Sequence, residues 1–233
     1  PGTMAISIGM LLSALAMTWH LVHFHYVKFN KESMYEVSKK IILLCIPLLL
    51  SAQFIAGILN EALDLTDTNQ ELFISMSHNI FGVLSIAIVV PILEEVLFRG
   101  AIEGHLLRKG WSPKWAILVS ALIFGIIHGN PAQIPFAFLI GLLFGWLYYR
   151  TGSLVPGIVG HIINNSFGAW TMFTATREEL SQTTMETLGT TITYILLVLA
   201  IIVFIGMYLY LNKYLPKPTN IQVKAINEQD ITI

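Results

Sequence analysis

Three short patterns in this chain set polar, hydrogen-bonding side chains where apolar ones would be expected. Glu94-Glu95-Val96-Leu97-Phe98-Arg99 follows directly on Ile92-Leu93. Phe124-Gly125-Ile126-Ile127-His128 closes an apolar run on an imidazole, and His161-Ile162-Ile163-Asn164-Asn165 adds a second imidazole and a carboxamide four residues apart. On a helix Glu95 and Arg99 share a face and neutralise each other, while Glu94 lies about 100° away around the axis with no local partner. His161 and Asn165 stack on one face by the same spacing. Hydrolysis of an amide needs a deprotonated water, a proton donor for the leaving amine and donors aimed at the developing oxyanion. Glu94 then reads as the general base, with His128 holding and polarising the same water and His161 and Asn165 as oxyanion donors. No serine or cysteine sits in a comparable setting, which disfavours a covalent acyl-enzyme.

The same atoms suit a metal route. Glu94, His128 and His161 make up a ligand set used by catalytic zinc sites, which keep water in the open position. The H-E-x-x-H spacing is absent and the three candidates come from three segments, so a zinc-bound and a glutamate-activated water both stay open. Plainer readings stand beside these. Glu95 with Arg99 is first a structural ion pair, a buried histidine is often a hydrogen-bonded core residue, and Asn164 and Asn165 can be helix-packing glue. His20, His23 and His25 look like a metal cluster but fall at a helix end beside Lys28, at headgroup level. What favours chemistry is the coincidence of Glu94, His128, His161 and Asn165 in a chain with few ionisable groups.

The elements that must position these residues are membrane helices. The 233 residues are 55% hydrophobic and 12% charged, with mean hydropathy +0.70, so a bilayer is the natural solvent. A net charge of −1 without a long basic run excludes nucleic acid as a partner, and the lone Cys45 excludes an internal disulfide or cysteine-based cluster. Pro1-Gly2-Thr3 ahead of Met4 reads as an added leader, and the apolar run that follows, lacking a basic n-region, reads as a retained span. Apolar segments at about 4–24, 41–59, 73–93, 115–130, 132–149, 154–173 and 189–211 predict an all-α polytopic bundle of about seven spans around a buried polar site. Residues 4–212 form one domain and 213–233, with Pro216 and Pro218, a short cytosolic tail. Gly125, Gly129, Gly141, Gly145, Gly157 and Gly160 let helices approach closely.

Sorting the basic residues by loop gives an orientation. Lys28, Lys31, Lys39, Lys40, Arg99, Arg108, Lys109, Lys114, Arg150, Lys213, Lys217 and Lys224 fall on one side, against Arg177 on the other. The N-terminus is therefore expected outside and the tail in the cytoplasm, in an integral protein of a bacterial cytoplasmic membrane. One depth conflict follows. His128 lies about 20 Å above Trp115 by helical rise, while Glu94 falls at the cytoplasmic end of its span. The two can meet only if the helix begun at Pro91 continues, buried, through about Arg108.

The set E-E-x-x-x-R, F-x-x-x-H and H-x-x-x-N, in order on apolar segments between Pro91 and Asn165, resembles the CPBP or Abi family of intramembrane proteases. That family includes CAAX prenyl endopeptidases and bacterial proteins linked to bacteriocin self-immunity. The resemblance implies peptide-bond hydrolysis with the first glutamate as base, a membrane-associated protein or peptide as substrate and lipid as surroundings, with Glu95, Arg99 and Phe124 shaping the site. Two rivals remain: a noncatalytic scaffold or immunity protein, which would tolerate loss of Glu94, and a proton-coupled transporter, which would need a polar path to both faces.

Overall fold

The computed structural model describes residues 2–27 and 37–215, and these form helices joined by short turns, with no strand among them. In chain order the helices are α1 (Thr3–His23), α2 (Lys39–Glu61), α3 (Gln70–Ser77), α4 (Ile80–Arg108), α5 (Pro113–Ile127), α6 (Ile134–Thr151), α7 (Val155–Thr174), α8 (Arg177–Ser181), α9 (Thr184–Leu188) and α10 (Thr190–Tyr214). Five of them, α1, α2, α4, α6 and α10, are long and apolar enough to cross a membrane. The other two expected spans are helices of a different kind. Helix α5 has 15 residues, and α7 has 20 but carries His161, Asn164 and Asn165 in its middle. The chain is thus an integral membrane helical bundle. Lys28, Lys31, Lys217, Lys224 and the tail beyond Leu215 lie outside the described residues, and the last helix runs two residues into the segment read as tail.

The main correction concerns the third span. Its expected start at 73 falls in the separate short helix α3, and α4 begins at Ile80, where the Asn79 side chain accepts from the Gly82 amide at 2.7 Å. From there α4 runs unbroken to Arg108, as the depth argument requires. Arg99 therefore lies inside the bundle at 1% exposure and not in a cytoplasmic loop. Two stretches of α4, Ser85–Val89 and Val96–Glu103, are wound in the wider π register and flank Glu94-Glu95 on either side. Such segments are costly in isolation and tend to mark functional sites. Pro91 sits between them. In five-residue spacing the group that would reach the Ile86 carbonyl is the nitrogen of Pro91, which carries no hydrogen.

Helix α4 is the axis of the molecule, packed by α1, α5, α6 and α7. Helices α5 and α6 form an antiparallel pair at close range: a Cβ on Gly125 would stand 3.0 Å from the Ile134 carbonyl, and one on Gly141 3.1 Å from the Phe124 ring. Gly152, at φ 66°, ends α6 in the left-handed conformation that glycine adopts without strain. A second apolar core joins α2, α6 and α10 through Leu48, Leu49, Phe144, Leu147 and Leu211. The remaining surface of α10, including Ile195, Val198 and Ile202, is exposed and apolar, as a lipid-facing helix should be.

Candidate active site

Four of the expected site residues come together through one histidine. His161 on α7 points between the adjacent carboxylates of α4, with Nε2 3.4 Å from Glu94 Oε2 and Nδ1 3.1 Å from Glu95 Oε1. Glu95 Oε1 also accepts from Arg99 Nη1 at 2.8 Å, and Arg99 Nη2 donates to the Gly141 carbonyl on α6 at 3.2 Å. A chain of contacts therefore runs from α6 through Arg99, Glu95 and His161 to Glu94. Burial grades along it: Glu95 is fully buried, His161 keeps 7% side-chain exposure and Glu94 19%. Glu94 is the carboxylate a water or substrate can reach, and the others hold it in place.

The aromatic and glycine positions explain how charged groups fit in this setting. The Arg99 guanidinium lies 4.4 Å from the Phe124 ring centroid and 5.3 Å from that of Phe144, so the cation is held between π faces. Phe124 also meets both imidazoles edge to face, His128 at 4.9 Å and His161 at 5.8 Å. Gly157 on α7 is where the Glu95 carboxylate lies: a Cβ there would stand 2.6 Å from Glu95 Oε2. Only a residue without a side chain lets α7 approach this closely.

His128 and Asn165 occupy positions that sequence spacing did not define. His128, at the C-terminal end of α5, is half-buried and places Nδ1 2.7 Å from the Phe124 carbonyl. A carbonyl only accepts, so Nδ1 carries the hydrogen and Nε2 of the neutral ring is left as an acceptor. Asn165 sends Nδ2 to the Ile86 carbonyl at 2.9 Å and accepts from Asn164 Nδ2 at 3.0 Å. That carbonyl is the one Pro91 leaves open. One Asn165 hydrogen thus repairs the α4 backbone, leaving a second Nδ2 hydrogen for other partners. The proposed zinc ligands do not converge: among the described residues no group of three His, Cys, Asp or Glu side chains is placed to hold a metal ion. Nδ1 of each histidine is already engaged, and Glu94 stands against His161 alone. The same holds for His20, His23 and His25 at the end of α1, where His23 stacks on Trp19 and His20 on Tyr26.

One residue escaped the sequence reading. Glu103, on the same π segment as Arg99, is fully buried, and neither of its carboxylate oxygens has a partner. The four-residue spacing Glu95, Arg99, Glu103 on a helix expected to run buried to about Arg108 was the signal for it, but nothing in the spacing shows that Glu103 lacks a partner. An open groove of about 560 Å³ runs along α4 from Leu97 to Arg108 against the end of α1, its bed formed by Leu21, Leu97, Ala101 and Ile102. Leu97 is one turn from Glu94.

Residues 76–167, the stretch that holds this whole constellation, match the family model described as Type II CAAX prenyl endopeptidase Rce1-like. Among curated proteins, the chain is 38% identical over 81 residues to YdiL of Bacillus subtilis (strain 168), which is 35% of this chain and 33% of that protein. It is 33% identical over 106 residues to the membrane-embedded CAAX protease MroQ of Staphylococcus aureus (strain USA300), 43% of this chain and 42% of the relative. It is 28% identical over 122 residues to the UPF0177 protein YxdF of Lactococcus lactis subsp. lactis (strain IL1403), 52% of this chain and 63% of the relative. The matches thus span between 33% and 63% of the length of these relatives. No solved structure matches the chain.

Proposed function

Because the chain belongs to the CPBP family, with the family segment at residues 76–167, we propose that it is an intramembrane endopeptidase whose Glu94 and His161 activate a water. The observation that carries this reading is the contact chain Arg99, Glu95, His161, Glu94 on helices packed at bilayer depth. Arg99 and Glu95 fix the imidazole, and the imidazole faces the one carboxylate that retains exposure. With Nδ1–H given to Glu95, His161 Nε2 is an acceptor turned toward Glu94. A proton drawn from water onto Glu94 can be shared with Nε2 and passed to the leaving amine, while the hydroxide adds to the scissile carbonyl. His128 Nε2 accepts from the same water, and the remaining Nδ2 hydrogen of Asn165 is the donor to the oxyanion. His161 therefore takes the proton-shuttling role and not the oxyanion role suggested by its spacing with Asn165.

A protein or peptide embedded in or resting on the membrane is the substrate class that suits such a site. The apolar groove beginning at Leu97 offers a bed for its hydrophobic segment, one turn from Glu94. The CAAX sequence in the name of the MroQ relative is one member of that class. We assign the N-terminus to the outside and the groove to the cytoplasmic half, from the distribution of Lys and Arg. The test is cleavage of a mixture of hydrophobic peptides by the protein reconstituted in vesicles, with fragments identified by mass spectrometry. Fragments from the parent protein and none from Glu94→Gln support a protease. Equal cleavage by both overturns the reading by taking Glu94 out of the chemistry, and cleavage by neither overturns it by leaving a noncatalytic member of the family.

A further inference from the structure

Four side-chain atoms on one face of α4, within nine residues, are buried without a hydrogen-bond partner: Glu95 Oε2, Arg99 Nε and both oxygens of Glu103. Three are acceptors and one is a donor. A buried donor or acceptor left unpaired is costly, and more so when charged, so such a cluster calls for mutual satisfaction. Arg99 has used Nη1 on Glu95 and Nη2 on the Gly141 carbonyl, and its Nε–H is what remains. Glu103 lies one turn further along the same face, and its carboxylate rests against the bare backbone of Gly145 on α6, where a Cβ would stand 2.6 Å from Oε2. The other charged or ionisable side chains nearby, Arg108 and Tyr148, converge one residue on, each 3.0 Å from where a Cβ of Gly104 would stand.

We propose that Glu103 is a positioning residue for the hydrolytic site: its carboxylate, which makes no direct contact with the guanidinium, accepts from Arg99 Nε–H through one bridging water, so that Arg99 is fixed between two carboxylates. The guanidinium then presents Nη1 to Glu95 in one orientation, Glu95 holds His161, and His161 holds Glu94. Gly145 serves Glu103 as Gly157 serves Glu95, each leaving the space that one carboxylate fills. No atom of Glu103 is among the reacting groups. This inference rests on the protease reading above and extends the machinery by one residue and one turn.

The test uses the full-length protein in vesicles and the best-cleaved peptide from the mixture described above. Glu103→Met keeps length and burial but removes both acceptors. It is expected to lower kcat by up to about 100-fold with little change in KM, the pattern of a misplaced catalytic group. Glu103→Gln keeps an oxygen for Nε–H and is expected to recover most of that loss, which a packing role alone would not produce. Thermal unfolding of Glu103→Met checks that the fold survives: Arg99 keeps Glu95 as its counter-charge, so the variant should still unfold cooperatively although Nε–H loses its acceptor. If that variant fails to fold, Gly145→Ala decides, because it displaces the Glu103 carboxylate from α6 and should show the same fall in kcat at constant KM. Parent-like kcat in Glu103→Met, or a Gln variant no better than Met, overturns the proposal. Glu94→Gln is assayed alongside. Activity there sinks the protease reading itself, whereas an inactive Glu94→Gln beside a fully active Glu103→Met sinks this inference alone.

Discussion

The division of labour between two neighbouring carboxylates is set by their surroundings. Glu95 has no exposure and holds both Arg99 and His161, so it is committed to structure, while Glu94 has His161 on one side and access on the other. Replacing Glu94 by Gln should lower kcat by about 10²- to 10⁴-fold, the usual contribution of a general base, without loss of folded protein, as measured by peptide cleavage and size-exclusion profile. Arg99→Met should act through folding instead. It leaves Glu95 a buried acid without its cation, at a cost of about 3–5 kcal/mol, and denaturant unfolding in detergent measures it. The difference between Glu94 and Glu95 could be read from four-residue spacing, because the Arg99 pair is local. The engagement of His161 could not, since both carboxylates come from another helix and nothing along α7 reports them.

Helix α4 shows what an apolar pattern conceals. Apolar residues run continuously enough to announce a span, but a shift to π winding changes which backbone groups pair without changing composition. The apolar run alone therefore ended at about 93, and only the depth conflict between Glu94 and His128 carried the expected helix on to Arg108, with Glu103 unremarked inside it. Proline and the π register together leave the Ile86 carbonyl open, and Asn165 closes it from α7. A double-mutant cycle tests that account. Asn165→Leu should cost about 1–3 kcal/mol, the price of orphaning a buried carbonyl. In a Pro91→Ala background, where residue 91 regains its N–H, the same substitution should cost much less, and the coupling between the two is the quantity to measure. Equal costs in both backgrounds would mean that Asn165 serves another group. Glycine at 157 belongs to the same scale: Gly157→Ala drives a methyl into Glu95 Oε2 and should reduce kcat by displacing His161, read in the cleavage assay with KM as control.

At the scale of the whole molecule, orientation fixes which leaflet the site serves, and it follows from charges far from the chemistry. With Arg99 in the core, Arg108, Lys109, Lys114 and Arg150 still gather at one end of the bundle while the opposite loops carry Asp67, Glu71, Glu178, Glu179 and Glu186. That acidic end is ordered by ties across the sequence: Arg177 to Glu71 at 2.7 Å, Thr184 to Glu61 at 2.6 Å, and Asn130 to Asp67 at 2.7 Å. Capping-box hydrogen bonds from Thr176 and Thr183 hold the Glu179 and Glu186 carboxyls below their ordinary range, so these acids stay ionised into moderately acidic surroundings. Negative loops of this kind resist no translocation, whereas basic loops favour the cytoplasmic side, which is the basis of the proposed orientation. Cys45, 1% exposed, leaves a quiet background for labelling. A cysteine at Thr187 should react with a membrane-impermeant maleimide in intact cells, and one at Lys109 only after permeabilisation. The opposite pattern would turn the bundle over, put Arg108 and the groove at the outer leaflet, and require the substrate to be sought there.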